Sequence, residues 1–367
     1  MPAMKPLAAL LASGLSLLTL AACTAPGAEI EPLTAEPAPA AALLWQAETA
    51  AGAIRAASCP PGDSAPQAFQ TLPLTAAPLT PKQADVLSGR LPAGARLAGA
   101  WELGADDPNF GGLSGLAVED EASLLAVTDA GGWVRIALTG GAPASASIAY
   151  MRGAGGKFLH GKLENDAEGL AYRDGVAYVS FERDFRIEAF AIGTCGAAAK
   201  AVEIAALPAA FEGKPLDANE GPEALTLTPE GHLRFGFEGA STSVSPVGRV
   251  LADGSAAWSG ARAANPAGFA LVGMDSVRLS GGTDLDITLF RAFDPLRGAR
   301  SVLRWGPGEA GQLALSRPAL TDNFEGLAAQ TLDSGDLRLW IVSDDNFSNL
   351  QRTLLYAFDV TPAPGAE

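Results

Sequence analysis

The chain has little of what soft-metal, redox or nucleophilic chemistry uses. Among 367 residues there are 3 cysteines and 2 histidines, so no Cys/His cluster is available for zinc. A Ser-His-Asp arrangement would need His160 or His232 beside a nucleophile, and no Gly-x-Ser-x-Gly elbow is present; Gly112-Leu113-Ser114-Gly115 misses that spacing. There is no phosphate-loop sequence, and glycine-rich pieces such as Gly153 to Gly156 read as turns. Basic residues are scarce as well: 25 Lys and Arg face 41 Asp and Glu, a formal net charge of -16. A surface of that sign repels nucleic acid and anionic lipid. Long apolar runs are also missing apart from Pro6 to Leu20, which is too short for a convincing membrane span. What remains is a chain of 48% hydrophobic residues, which excludes wholesale disorder and is enough for one large core.

The chain repeats a phrase: an acidic-Gly-Leu start, followed about fifteen residues later by a hydrophobic run that ends in a carboxylate. The starts read Ser114-Gly115-Leu116, Glu168-Gly169-Leu170, Glu223-Ala224-Leu225 and Glu325-Gly326-Leu327, and the runs end at Asp129, Glu182, Glu238 and Asp344. A degenerate copy opens at Met274-Asp275-Ser276-Val277 and closes at Leu289-Phe290-Arg291. Placing starts at 114, 168, 223, 275 and 325 gives spacings of 54, 55, 52 and 50 residues. A period near fifty with several short strands per unit is the signature of a β-propeller.

Each unit divides into four strand-like pieces separated by turn residues. The last unit supplies only three, ending with Thr353 to Val360, and Arg96 to Leu103 precedes the first repeat where an outer strand is needed. The expected fold is therefore all-β: a propeller with five four-stranded blades visible, its ring closed by the N-terminal strand, which removes open sheet edges. A sixth blade would have to come from the less regular stretch before Arg96. The expected domains are a signal peptide over 1–22, a flexible tether over 23–41, an N-terminal extension packed on the propeller over 42–92, the propeller over 93–361 and a tail over 362–367.

The first residues read as an export signal. A short basic start and an apolar run lead to Leu20-Ala21-Ala22-Cys23, which resembles the lipobox of bacterial lipoproteins, with Cys23 the lipidated residue; an ordinary secretory signal is the alternative. Thr24 after the cysteine, in place of Asp, resembles the pattern that permits transfer to an outer membrane. The expected location is the cell envelope, with the protein lipid-anchored to the outer membrane and facing the periplasm. Cys59 and Cys195 would then lie where thiols oxidise, and either a disulfide between them or two buried free thiols fits.

In a blade the start of the first strand and the end of the second share a face, so Glu168 and Glu182, Glu223 and Glu238, and Glu325 with Asp344 and Asp345 are expected on one rim of the channel. So many carboxylates repel unless neutralised, and Ca²⁺ takes six to eight such oxygens. Three readings stay open: turn capping, a divalent-metal site, and acid/base work by a carboxylate pair. Arg183, Arg186, Arg291, Arg297 and Arg352 stand near the same face, as do Lys157, His160 and Lys162; they either pair with the acids or, with a metal, hold a phosphate.

Phe110-Gly111-Gly112-Leu113-Ser114-Gly115-Leu116, Asn165-Asp166-Ala167-Glu168-Gly169-Leu170, Asn219-Glu220-Gly221-Pro222-Glu223, and above all Asp322-Asn323-Phe324-Glu325-Gly326-Leu327 with Ser343-Asp344-Asp345-Asn346-Phe347 and Gln351-Arg352-Thr353 resemble the phytase-like domain, also called the esterase-like-activity-of-phytase family, over roughly residues 93–361. The resemblance implies an exported β-propeller with repeated Glu and Asp acting in phosphoester hydrolysis with Ca²⁺. The first unit departs from the pattern with Ser114, and the fourth with Asp275 and Arg291. The leading expectation is a lipid-anchored phosphoesterase in which Glu168, Glu182, Glu223, Glu238, Glu325, Asp344 and Asp345 hold divalent ions while Glu182, Arg186, Arg291 and Arg352 serve catalysis. The expected partners are a small-molecule phosphoester or an envelope component, and the membrane through the lipid; a monomer is expected. The alternatives are a non-catalytic, Ca²⁺-stabilised binding module of the envelope and a lactonase-like or sugar-oxidising propeller.

Overall fold

The computed structural model describes residues 43–62, 65–239, 244–306 and 311–362. The signal, Cys23 and the tether lie outside the described residues. The chain forms a five-bladed propeller. The first blade comprises Leu113–Asp120, Ser123–Thr128, Gly132–Thr139 and Ala142–Tyr150; the second Ala167–Arg173, Val176–Phe181, Arg186–Phe190 and Val202–Ala206. The third comprises Ala224–Leu227, Leu233–Gly236, Val244–Val250 and Ala256–Ala264; the fourth Ala270–Arg278, Asp284–Asp294, Gly298–Arg304 and Gln312–Leu315. The fifth takes Asn323–Thr331, Leu337–Asp344 and Thr353–Val360 from the C-terminal end and Ala95–Ala105 from the N-terminal end, in register from Leu103 opposite Thr353 to Ala95 opposite Val360. The expected closure by the N-terminal strand is therefore present, and the first strands of the blades line a central channel.

The segment before the ring seals its seam. Gln70–Leu72 adds to the outer edge of the first blade, and Leu74–Pro78 adds to the outer edge of the fifth. One short stretch thus hydrogen-bonds to both sides of the junction at which the ring closes, covering edges that would otherwise stand open. The helix Ala47–Ser58 lays Ala47 and Ile54 against Tyr178 and Ile187 of the second blade, and Cys59 at its end is bonded to Cys195 with the Cα atoms 5.4 Å apart. The helix Pro81–Ser88 begins with a capping box between Thr80 and Gln83 and buries Leu87 against the fourth and fifth blades.

The core is partitioned by the ring. Apolar clusters lie between the first and second blades, the second and third, the third and fourth, the fourth and fifth, and the fifth and first. The repeated Gly-Leu explains how the first strands meet. A Cβ on Gly115 would lie 2.4 Å from the Glu168 carbonyl oxygen, and one on Gly169 would lie 2.7 Å from Leu225 Cβ. Only glycine lets neighbouring first strands approach this closely. The next residues, Leu116, Leu170, Leu225, Met274 and Leu327, then fill the axis and leave a remnant of only about 10 Å³. The channel is plugged at mid-height, so it forms two blind cavities.

This packing corrects the reading of the fourth unit. The strand register slips at Gly273 and Gly326 in the same way, between Leu271 and Gly273 in the fourth blade and between Phe324 and Gly326 in the fifth. Val272-Gly273-Met274 is therefore the true counterpart of Glu325-Gly326-Leu327. Asp275 lies one turn of pleat further along, on the other side of the plug, where it lines a hollow with Leu170, Leu227 and Ala329.

Candidate functional site

The aligned repeats form two concentric rings of side chains above the plug. The inner positions, at or near the start of each first strand, are Ser114, Glu168, Glu223, Val272 and Glu325. The outer positions end the second strands and are Asp129, Glu182, Glu238, Arg291 and Asp344. Backbone bonds fix this outer ring: Asp129 N–H donates to the Gly112 carbonyl, Glu182 N–H to Asp166, and Glu238 N–H to Gly221, while Ala270 faces Arg291 and Asn323 faces Asp344. The fivefold pattern is broken in the first and fourth blades. Ser114 donates to the Ala167 carbonyl at 2.6 Å, so it ties two blades together.

The rings open into a cavity of about 710 Å³. Its lining includes Glu168, Glu182, Glu223, Glu325, Asp344, Arg291 and Arg352 of the site residues expected from sequence, Asp129 and Lys162 that the sequence also puts near this face, and Asp166 and Arg317 besides. Asp166, Glu168, Glu182, Glu223, Glu325 and Asp344 are buried and Asp129 is half-buried. Burial, with the neighbouring Glu223 and Glu325, drives the Glu168 carboxyl well above the ordinary range. Burial and the Asp166 carboxyl beside it bring Glu182 up to about 7, and burial with Glu325 brings Asp344 up to about 8. Burial also raises Glu223, although Arg291 opposes it. These are carboxylates held close together with too little cation among them.

Three of the cations, Arg291, Lys162 and Arg183, are committed to one part of the ring or another. Arg291, standing where an acid stands in the other blades, lies 3.2 Å from Glu238, 3.3 Å from Glu325 and 3.1 Å from Asn323 Oδ1. Lys162 bridges Asp129 and Asp166, each at 3.1 Å. Arg183 reaches Asp166 at 2.9 Å and Glu182 at 3.4 Å. The carboxylates of Glu168 and Glu223 accept no hydrogen bond among the described residues, and Asp129 Oδ1 is buried without a partner.

Asp166, Glu168 and Glu182 are the group that fits a metal ion: one oxygen from each can be chosen so that all three lie within 4.8 Å of one another. An all-oxygen carboxylate set suits a hard divalent cation such as Ca²⁺. Asp166 was missing from the residues expected as ligands. It stands two residues before Glu168, where the other blades carry Gly112, Gly221, Ala270 and Asn323, so reading the repeat two positions upstream would have exposed it.

Three expected site residues lie elsewhere. Asp345 accepts from the backbone N–H of Gly112 at 2.9 Å and of Phe347 at 3.0 Å, and from the Thr353 hydroxyl at 2.8 Å; its oxygens are consumed in joining the fifth blade to the first. Arg186 sits on the third strand of the second blade, over the Phe181 ring at 3.9 Å, and donates to the Glu164 carbonyl at 2.6 Å. It braces the loop that carries Lys162 from outside and does not line the cavity. Glu238 stands behind Arg291 and reaches the cavity only through it.

A five-bladed propeller with a plugged channel and an acidic cavity on one face is thus the class of protein. The family model described as phytase-like, esterase-like activity of phytase, matches residues 108–269, from the loop before the first blade to the end of the third. The resemblance seen in the sequence is shown over that stretch, which includes Asp166, Glu168, Glu182 and Glu223. No curated protein matches the chain by sequence. Similar solved structures include a thermostable family-43 glycoside hydrolase, with 9% identity over 71% of this chain and 97% of that one at a TM-score of 0.41. A protein of unknown function from Dyadobacter fermentans matches with 11% identity over 81% and 96% at 0.38. The β-propeller domain of Cps50 (Swd1) from Myceliophteria thermophila matches with 10% identity over 82% and 99% at 0.34. Similarities this distant bear on neither substrate nor mechanism.

Proposed function

We propose that the protein is a divalent-cation-dependent phosphoesterase acting in this cavity. The observation that carries the reading is the convergence of Asp166, Glu168 and Glu182 oxygens within 4.8 Å in a cavity also lined by Arg291 and Arg352. These three residues would hold the cation, which when bound supplies Lewis acidity toward a phosphoryl oxygen and a water. The chain's own groups do the rest. Lys162 and Arg183 fix the Asp166 carboxylate from two sides. Arg291, pinned by Glu238 and Glu325, and Arg352 present positive charge to the phosphoryl oxygens. Glu223, whose carboxylate accepts no hydrogen bond among the described residues, takes the proton of the attacking water as the water oxygen bonds to phosphorus; the bond from phosphorus to the ester oxygen breaks, and the leaving oxygen takes a proton from solvent.

The test is phosphate release from a panel of phosphate mono- and diesters, including phytate, with and without Ca²⁺. Turnover that needs the cation and falls by about 10²–10³-fold in Glu182→Gln, with the melting temperature kept, is the expected result. Turnover unaffected by Glu182→Gln would sink the assignment. A second reading, a Ca²⁺-stiffened binding module of the cell envelope, is favoured by the ion pairs that Lys162 and Arg183 already make with Asp166. It becomes the better account if no ester is turned over while Ca²⁺ still raises the melting temperature. The proposal extends to location, on the residues around Cys23: labelled palmitate supplied to producing cells should enter the protein, and should not enter Cys23→Ala.

A further inference from the structure

The cavity has two unlike walls. One, from the first and second blades, carries Asp129, Lys162, Asp166, Glu168 and Glu182. The other, from a strand end and the loops of the fourth and fifth blades, carries Phe293, Arg317, Leu350 and Arg352. Phe293 is 72% exposed and Leu350 93% exposed, although both border a highly charged cavity. Apart from Leu43, every large apolar side chain exposed among the described residues lies in the segments 150–163, 293–296 or 347–350, all at this same face. Scattered exposed apolar residues are ordinary, but their concentration on one face, with Phe293 and Leu350 lining the cavity itself, marks a binding surface.

Arg317 supplies the charge. Its guanidinium lies over Gly298, where a Cβ would come within 3.2 Å of Cζ, Nε and Nη2. It forms no ion pair or side-chain hydrogen bond among the described residues. In a chain of net charge -16, an arginine that lines an acidic cavity and pairs with none of its carboxylates is available to an anionic ligand.

We propose that this wall recognises the alcohol part of a soluble phosphate ester that is itself apolar: Arg317 meets the phosphate while Phe293 and Leu350 cover an alkyl or aryl group. The inference rests on the phosphoesterase reading and names its substrate class. The occupant is a soluble ester and not a lipid within a bilayer, because an anionic surface would be repelled by the charge of the protein.

The test compares binding of hexyl phosphate and of inorganic phosphate by the full chain, measured by calorimetry with Ca²⁺ present. Hexyl phosphate is expected to bind at least about tenfold more tightly. That advantage should vanish in the double variant Phe293→Ser, Leu350→Ser, which leaves the affinity for inorganic phosphate unchanged, while Arg317→Ala weakens both ligands about equally. Equal affinities, an advantage that survives the double variant, or no binding of either ligand would overturn the proposal, as would co-sedimentation with vesicles containing phosphatidic acid. Failure of the phosphoesterase reading looks different: hexyl phosphate binds with the expected variant pattern and is not hydrolysed. Hydrolysis of phosphate esters with no preference for an apolar alcohol upholds that reading and removes this one.

Discussion

The two sides of the channel plug each bury carboxylate, and they treat it in opposite ways. Below the plug, Asp275 accepts from the backbone N–H of Ala329 and of Ser276, each at 2.8 Å, and from the Thr226 hydroxyl at 3.2 Å. Its carboxyl is held at about 6 by burial, with those three donors pulling the other way. Thr226 belongs to the third blade and Ala329 to the fifth, so one side chain of the fourth blade clamps both of its neighbours. Above the plug, Glu168 and Glu223 are more deeply buried than the half-buried Asp275 and receive no such donors. Hydrogen-bond supply therefore runs against burial, and it decides the role. A satisfied buried carboxylate joins blades; an unsatisfied one, among others like it, is a charge kept for a ligand.

The largest effect on stability is expected from Asp275→Ala. It leaves two backbone N–H groups and a hydroxyl buried without an acceptor, and should cost about 3 kcal/mol, measured by denaturant unfolding. A loss below about 0.5 kcal/mol would show that the clamp contributes little. Next is the pH dependence of the metal-free protein. Glu182 at about 7 and Asp344 at about 8, against ordinary values of 4.5 and 3.8, bind protons more tightly folded than unfolded. The folded state is therefore destabilised as they ionise: no penalty exists below about pH 4, and it is complete above about pH 8. The melting temperature should fall by roughly 5 °C between pH 5 and pH 8.5, and saturating Ca²⁺ should flatten the decline. A profile that rises over this range would contradict the excess of carboxylate. The smallest effect is that of Glu168→Gln. Removing one charge from a set of like charges should raise the metal-free melting temperature by roughly 2 °C while shrinking the rise produced by Ca²⁺. A marked fall would place Glu168 with Asp275 among the structural acids.

Much of the architecture is legible in the chain because the repeat encodes packing. Gly115, Gly169 and Gly326 recur since neighbouring first strands would collide there with any side chain, and the leucines after them recur since each fills part of one axis. The fourth unit was misread by three residues because Asp275 drew attention as the acid of the phrase. Its bulge glycine, Gly273, was the better guide, because a backbone requirement survives where the acid has been replaced by Val272. The candidate site was legible only in part. Glu168, Glu182, Glu223, Glu325 and Asp344 follow from strand ends, but Asp166 occupies a position that is acidic in one blade out of five, so no periodicity announced it.

By itself, the sequence determined the number of blades, the strand that closes the ring and the face that gathers acid, since each depends on short-range pattern repeated at a fixed period. Only the tertiary structure decided which acids remain without partners. Asp345 is spent on the turn beside it and on the first blade, Asp275 on two neighbouring blades, and Arg186 on the outside of a loop, and each of those partners is distant in sequence or set by side-chain direction. The same holds for Arg317, Phe293 and Leu350. Phe293 stands near the end of a strand of the fourth blade and Arg317 and Leu350 in loops, and they meet only because the fourth and fifth blades stand side by side around the cavity.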